Sequence, residues 1–136
     1  MLYQITGGCL CGALKYTCNS PPKSQFFCYC TDCQSVTGSP FAPGILVKKS
    51  SVTIEGCYSE HQVIAKSGRD INRKFCTICG SRVFEEIKNS GTYIFNVGSL
   101  DNQELFKPQA HFWVRSKPNW YLITDKLPQF EEQPNI

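Results

Sequence analysis

The chain has 136 residues with a net charge of +3, and 41% of its residues are hydrophobic and 18% charged. This is an ordinary globular composition, long enough to bury a core and suited to one domain over residues 1–136. The basic residues are scattered and no stretch approaches the roughly 20 apolar residues of a membrane span, so the sequence predicts neither a nucleic-acid partner nor a membrane.

Short alternating or apolar runs, separated by Gly-, Pro-, Asn- and Ser-rich stretches, dominate the chain and are typical of strands joined by turns. Helical turns are predicted at residues 31–36 and near residues 101–105, and the polar tail 125–136 is expected to lie over the surface. The sequence thus predicts a mainly β fold, an antiparallel domain with short helical pieces. The predicted strands cover residues 2–6, 13–18, 45–47, 52–55, 62–66, 82–87, 93–97 and 111–114.

Nine cysteines are many for this length, and they suggest either disulfides or metal. The N-terminal stretch MLYQITGG lacks the charged start and apolar segment of a secretory signal. We therefore expect a cytoplasmic chain with reduced thiols, in which dense cysteines favour zinc. The odd count also fits a disulfide framework poorly.

Two cysteine pairs have the spacing of one closed metal site. In GGCLCGA, Cys9 and Cys11 are two residues apart, so both sulfurs point to the same side of an extended chain. In FCTICGS, Cys76 and Cys79 form a Cys-x-x-Cys turn, and a glycine follows each pair as tight turns require. Together they supply the four sulfurs of a structural zinc, which would tie the N-terminal strands to the middle of the chain. The alternative is a set of buried cysteines without metal.

The stretch CYCTDC offers only three sulfurs, those of Cys28, Cys30 and Cys33. Catalytic zinc usually keeps three protein ligands and one open position, and a thiolate-rich zinc suits a soft fourth ligand such as a thiol. The spacing therefore favours activation of a small-molecule thiol, held as a nucleophile for attack on a carbonyl. Two alternatives remain open: Cys57 or His111 closes the site as a fourth ligand, or ligands are exchanged between the two sites.

Seven cysteines in this order and spacing resemble those of the glutathione-dependent formaldehyde-activating enzyme family, which includes the centromere protein V-like proteins. The resemblance extends through NVGSLD and KPNWYLITDKLPQFEE, and covers about residues 4–132. It implies a β-rich fold held by zinc, with a structural ion on the four paired cysteines and a catalytic ion on the other three. It also implies a carbon–sulfur lyase that adds glutathione to formaldehyde. The chain departs from the family pattern at Tyr29, where histidine is frequent, and at Gln34 and Ser35, where basic residues are frequent.

Four basic residues are candidates for binding substrate carboxylates, such as the two of glutathione: Arg69, Arg73, Lys74 and Arg115. His111, in the aromatic stretch AHFWVR, is either a general base or a structural residue. The leading hypothesis is an enzyme with two zinc ions per chain that acts on a small thiol and an aldehyde. The rival hypothesis is a zinc-stabilised protein-binding module without catalysis. The sequence carries no signal for an oligomeric state.

Overall fold

β-strands dominate the computed structural model, which describes residues 3–134. The mainly β prediction is confirmed. The strands are β1 (Ile5–Gly8), β2 (Lys15–Cys18), β3 (Ser24–Cys28), β4 (Ala42–Lys48), β5 (Val52–Glu55), β6 (Tyr58–Ile64), β7 (Asp70–Cys76), β8 (Arg82–Ile87), β9 (Thr92–Asn96) and β10 (Ala110–Phe112).

The strands form two sheets. The small sheet has the order β1-β2-β5, and the large sheet has the order β10-β3-β4-β9-β8-β7-β6. All neighbouring strands are antiparallel except β10 and β3, which run parallel. Because short turns suffice to join antiparallel neighbours, this topology suits a chain rich in glycine and proline turns.

The hydrophobic core joins one face of the large sheet to the small sheet. Ile45, Val47 and Phe95 are fully buried on the large sheet and belong to one cluster with Tyr16 and Cys18 of the small sheet. The ring of Tyr16 stacks on that of Phe95, with 3.9 Å between the centroids. Burial of such side chains contributes about 1.5–3 kcal/mol each. Cys18 is thus a small core residue.

The opposite face of the large sheet carries a cleft, and Gly44 is one of the residues that line it. Gly44 lies in β4 between Phe26 of β3 and Ile94 of β9, and its backbone pairs with Phe26 and Asn96. A Cβ atom at residue 44 would lie 2.9 Å from Cγ2 of Ile94 and 3.0 Å from the Phe26 ring. Only glycine therefore allows these side chains to close together over β4.

The helical pieces are short. The helix α1 (Thr31–Thr37) follows β3, as predicted for residues 31–36, and ends at Gly38 in the left-handed region at φ 67°. The second predicted helical turn is a 3-10 helix at Gln103–Leu105. Further 3-10 helices span Lys49–Ser51, Val97–Ser99 and Val114–Ser116.

The sequence patterns located most strands but missed two. β5 and β8 have the predicted bounds, whereas β3 and β7 were not predicted, and β6 starts four residues before the predicted run at 62–66. The predicted run 2–6 begins outside the described residues and overlaps β1. The two missed strands both end in a cysteine cluster, and neither SQFFC nor DINRKFC alternates regularly between apolar and polar residues.

The C-terminal tail lies along β10. The backbone N–H of His111 donates to the carbonyl of Pro128 at 2.9 Å, and the N–H of Phe130 donates back to the carbonyl of His111 at 2.8 Å. The tail thereby covers the edge of the large sheet at β10, where unpaired backbone groups would otherwise remain. Within the described residues, no helix combines the length and apolar character needed to cross a membrane.

Candidate metal centres and active-site cleft

The four paired cysteines converge at one point between the two sheets. Cys9 and Cys11 lie in the loop from β1 to β2, while Cys76 ends β7 and Cys79 lies in the turn to β8. Their sulfurs lie within 4.8 Å of one another. Neighbouring sulfurs are 3.6 Å apart for Cys9 and Cys11, and 3.7 Å for Cys11 and Cys76. The two cysteine pairs that the sequence assigns to one site therefore lie together in the structure.

The backbone of both loops is shaped like a metal-binding knuckle. Gly12 and Gly80 have left-handed φ values of 82° and 75°, which side chains rarely adopt. Backbone N–H groups point at the sulfurs: Leu14 N–H donates to Sγ of Cys9 at 3.2 Å, and Ile78 N–H donates to Sγ of Cys76 at 3.4 Å. Such bonds favour the thiolate form, which is the form that binds metal.

The distances and the donor set fit a tetrahedral ion such as zinc. With metal–sulfur bonds of about 2.3 Å, a tetrahedral site separates its sulfurs by about 3.8 Å. The 3.6 and 3.7 Å distances in the four-cysteine cluster agree with this value. The cluster could thus hold a metal ion with all four positions filled by protein.

The second cluster lies where β3 passes into α1. Cys28 is the last residue of β3, Cys30 is the N-cap of α1, and Cys33 lies in its first turn. The backbone N–H of Cys33 donates to Sγ of Cys30 at 3.3 Å, and the two sulfurs are 2.9 Å apart. All three sulfurs lie within 4.8 Å of one another, so this cluster could also hold a metal ion, with the sulfurs of Cys30 and Cys33 moving apart to the separation of about 3.8 Å that a tetrahedral site requires.

The three sulfurs cannot all be charged without a cation among them. Hydrogen bonds with Cys28 and Cys33 lower the pKa of Cys30 to about 3. The hydrogen bond with Cys30 raises the pKa of Cys28 to about 12, and the hydrogen bonds with Cys28 and Cys30 raise that of Cys33 still further. One thiolate is therefore stable here, and a second would repel it. A divalent cation removes this penalty, since metal binding releases the thiol protons.

No fourth histidine, cysteine or carboxylate of residues 3–134 joins this cluster. Cys57 is exposed in the turn between β5 and β6. His111 hydrogen-bonds elsewhere, to the Tyr29 hydroxyl and the Asp125 carboxylate. The two side chains proposed from sequence as a closing ligand therefore lie outside the group, and the cluster has three protein donors.

The three-cysteine cluster forms one end of a cleft with an empty volume of about 790 Å³, part of it open to solvent. The cleft lies on the face of the large sheet opposite the core, and alternate residues of its strands point into it. Most of these side chains are apolar. The apolar wall, as we call it below, consists of Phe26, Leu46, Ile71, Ile87, Ile94 and Phe112.

Charged groups in the cleft lie close to the cysteines. Arg73 and Glu85 face each other across β7 and β8, with Nε and Oε2 3.7 Å apart, and only 8% and 10% of their side chains are exposed. Arg82 lies 3.8 Å from the same carboxylate. Burial raises the pKa of Glu85 and lowers that of Arg82. The positive charge of Arg73 also acts on Cys30, after its thiol neighbours, to lower the pKa of that cysteine.

Two further residues of the cleft were missed by the sequence analysis. Nδ2 of Asn96 is buried and has no hydrogen-bond partner within residues 3–134, and the residue lines the cleft. Trp113 lies at the mouth in the left-handed region at φ 61°, a strained conformation for an aromatic residue that costs about 1–3 kcal/mol. An unpartnered donor and a strained backbone have no pattern in the sequence, so neither could have been predicted from it.

Comparison with known families agrees with this geometry. The model of the family described as glutathione-dependent formaldehyde-activating enzyme matches residues 4–116. The chain belongs to this family. The matched region contains all seven clustered cysteines and every residue of the apolar wall. No curated protein matches the chain.

In this family member, Tyr29 and Gln34 beside the three-cysteine cluster make local hydrogen bonds. The hydroxyl of Tyr29 lies 2.8 Å from Nδ1 of His111, and Nε2 of His111 lies 2.9 Å from Oδ1 of Asp125. Nε2 of Gln34 donates to the carbonyls of Tyr29 and Ser116, at 2.7 and 2.9 Å. His111 is buried in this network, so the structural interpretation of this residue fits the observed contacts.

Of the four basic residues proposed to bind substrate carboxylates, two line the cleft and two form ion pairs elsewhere. Arg69 and Arg73 line the cleft. Lys74 donates to Oε1 of Glu60 at 2.7 Å and lies beside the Tyr58 ring, and Arg115 pairs with Glu132 on the surface. Only the first two are thus placed to meet a substrate in the cleft.

Proposed function

We propose that the protein is a zinc-dependent enzyme of carbon–sulfur bond chemistry, which adds a small thiol of the glutathione type to an aldehyde such as formaldehyde. Its reaction class would be that of a carbon–sulfur lyase resembling S-(hydroxymethyl)glutathione synthase. The observation that carries the proposal is the convergence of three cysteine sulfurs, without a fourth protein donor in residues 3–134, in the lining of the apolar cleft.

Two zinc ions per chain follow from the proposal. Cys9, Cys11, Cys76 and Cys79 would hold a structural ion, and Cys28, Cys30 and Cys33 would hold the catalytic one. The second ion would supply an open position, at which a substrate thiol is held as the more nucleophilic thiolate.

The side chains of the cleft would orient and stabilise the other substrate. Nδ2 of Asn96 has a proton to donate, and a hydrogen bond to the aldehyde oxygen would satisfy it. The guanidinium of Arg73, next to the cysteines, would stabilise the negative charge that develops on that oxygen during addition. The apolar wall would limit the water around the reacting atoms.

The rival function is a protein-binding module without catalysis. Leu10 and Ile78, at the tips of the two knuckles, are 89% and 75% exposed and give this alternative some apolar surface. The second cluster favours the enzyme, because a purely structural site would have four protein ligands.

The test uses NMR exchange spectroscopy with carbon-13 formaldehyde and glutathione, since the addition is reversible and occurs without an enzyme. The wild-type protein should accelerate exchange between free and thiol-bound formaldehyde. Cys30→Ser should lose this acceleration while retaining its circular dichroism spectrum, and the exposed Cys57→Ser should behave like wild type. Full acceleration by Cys30→Ser would contradict the proposed mechanism.

A further inference from the structure

The composition of the cleft differs from what glutathione and formaldehyde alone require. Formaldehyde has one carbon and needs little apolar surface, and glutathione is a polar peptide with two carboxylates. Six apolar side chains nevertheless line the cleft beside the three cysteines. Peptide groups placed against such a wall lose their hydrogen bonds to water without regaining partners, which disfavours their binding there.

The cleft has a direction. The three cysteines, Arg73 and Asn96 supply polar groups at its reactive end, whereas Lys66 and Arg69, in the loop between β6 and β7, line both the cleft and an adjoining polar groove. A molecule whose reacting group lies beside the cysteines would therefore contact the apolar wall with the rest of its body.

The residues of the apolar wall pack closely against one another. Gly44 lets Phe26 and Ile94 close over β4, and a Cβ atom there would meet both. Ile71 and Ile87, which face each other in the pairing of β7 with β8, are only 6% and 7% exposed and extend the apolar surface towards the mouth. The wall is thus continuous over several strands rather than a few isolated side chains.

We propose that the cleft binds an aldehyde that carries an apolar chain or ring, with the carbonyl carbon beside the three cysteines and the apolar body against the wall. This inference rests on the proposed thiol addition. In that step the sulfur forms a bond to the carbonyl carbon, the electron pair of the carbonyl π bond moves to the oxygen, and the proton of the thiol ends on that oxygen. Nothing is oxidised or reduced, and no further reactant is needed.

Binding is measured first, without chemistry, using straight-chain primary alcohols from propanol to octanol as unreactive analogues of the aldehyde. Isothermal titration calorimetry gives their affinities for the protein as purified, and fluorescence of Trp113 at the mouth gives a second readout. Each added methylene group should raise affinity about fourfold until the wall is covered. Affinities that do not change with chain length would overturn the inference.

Two variants test whether the wall is responsible. Ile94→Thr and Leu46→Thr replace partly buried residues of the wall with polar side chains, and each should lower octanol affinity at least fivefold while leaving propanol affinity within twofold. The control is Ile64→Thr, since Ile64 is 64% exposed on β6 and does not line the cleft. Octanol affinity that falls equally in the control and the wall variants would overturn the assignment.

Kinetics then separate this inference from the function on which it rests. With one thiol, hexanal should have a kcat/KM at least tenfold above that of formaldehyde, and Ile94→Thr should remove most of that difference. If the protein accelerates thiol addition to formaldehyde but hexanal has no higher kcat/KM, the inference about an apolar aldehyde is wrong and the proposed reaction still holds. If alcohol affinity rises with chain length but neither aldehyde reacts faster with the protein present, the proposed reaction is wrong and the binding inference still holds.

A third outcome concerns the thiol substrate. If kcat/KM rises with the chain length of an alkyl thiol and not with that of the aldehyde, the cleft binds the thiol, and its assignment to the aldehyde is wrong.

Discussion

Arg73 and Glu85 form a buried ion pair beside the three-cysteine cluster, and its burial determines how each residue affects stability. Their side chains are 8% and 10% exposed, and Nε of Arg73 has an ion-pair distance of 3.7 Å but no hydrogen bond within the described residues. A buried ion pair adds little net stability, whereas loss of one partner leaves an uncompensated charge. The sequence marks Arg73 as a candidate for binding a substrate carboxylate and places Glu85 in the predicted strand 82–87, whereas the pairing of the two follows only from the register of β7 and β8.

Replacement of Arg73 by methionine should therefore lower the free energy of unfolding by about 3 kcal/mol, measured by urea denaturation at neutral pH, the low end of the cost of breaking a buried pair because Arg82 still lies 3.8 Å from the Glu85 carboxylate. The double variant Arg73→Met, Glu85→Gln should recover only part of this loss, since it removes both charges of the pair but leaves the guanidinium of Arg82 without this carboxylate. Arg115→Met is the control: its pair with Glu132 is more than half exposed, and the loss should stay below about 1 kcal/mol. Equal losses in both single variants would contradict the buried-pair interpretation.

A close backbone approach at Gly7 gives a second test at this scale. A Cβ atom there would lie 2.3 Å from both the carbonyl oxygen of Ser99 and the hydroxyl of Tyr16, whereas one at Gly98 meets nothing within 4 Å. Gly7→Ala should cost about 1–3 kcal/mol or more in thermal or urea unfolding, because the small sheet must move away from residue 99. Gly98→Ala should stay within about 0.5 kcal/mol of wild type. The reverse order would contradict the described packing.

At the scale of elements, the alternation of apolar and polar residues predicted most strands, but it did not predict β3 and β7, which end in cysteine clusters. β7 carries Asn72, Arg73 and Lys74, all at most 7% exposed as whole residues. The carboxylates of Glu85 on β8 and Glu60 on β6 pair with the two charges, and Glu60 also accepts a hydrogen bond from Nδ2 of Asn72. Hydrophobic alternation cannot reveal such a strand. The cysteine spacings, by contrast, predicted which sulfurs converge, because a metal site needs only local geometry in each half.

The tail element is joined to the sheet by the network of Tyr29, His111 and Asp125. Hydrogen bonding with His111 lowers the pKa of Asp125 below its ordinary value, so the carboxylate stabilises the fold above the unfolded-state pKa of about 3.9. This stability is lost as pH falls through the lower folded-state value. The free energies of unfolding of wild type and Asp125→Asn should therefore differ at neutral pH, and the difference should shrink as the pH falls below about 3.9. Glu55→Gln, on an exposed part of β5, is the control and should not reproduce this pattern. A constant difference at all pH values would contradict the assignment.

At the scale of the whole molecule, the four-cysteine cluster is a second connection between the sheets besides the core. One half comes from the loop of the small sheet and the other from the turn of the large sheet, with Cys11 and Cys76 meeting at 3.7 Å. Structural zinc in small peptides contributes about 10–16 kcal/mol, as much as the whole stability of a typical domain. This cluster is therefore expected to determine whether the chain folds.

Cys11→Ser should then be unfolded or lose most of its cooperative thermal transition, as recorded by circular dichroism. Cys57→Ser is a matched control, since both cysteines are exposed, and it should melt like wild type. A strong chelator should lower the melting temperature of the wild-type protein in the same way. A Cys11→Ser protein that melts like Cys57→Ser would show that the cluster does not stabilise the fold.

The most direct test of the account is the zinc content per chain, measured by elemental mass spectrometry on protein purified under reducing conditions without added metal. Wild type should contain two zinc ions, and Cys30→Ser should contain one, remain folded and lose thiol addition. One ion in wild type that also remains in Cys30→Ser, together with equal activity in the two proteins, would contradict a catalytic metal at the three-cysteine cluster.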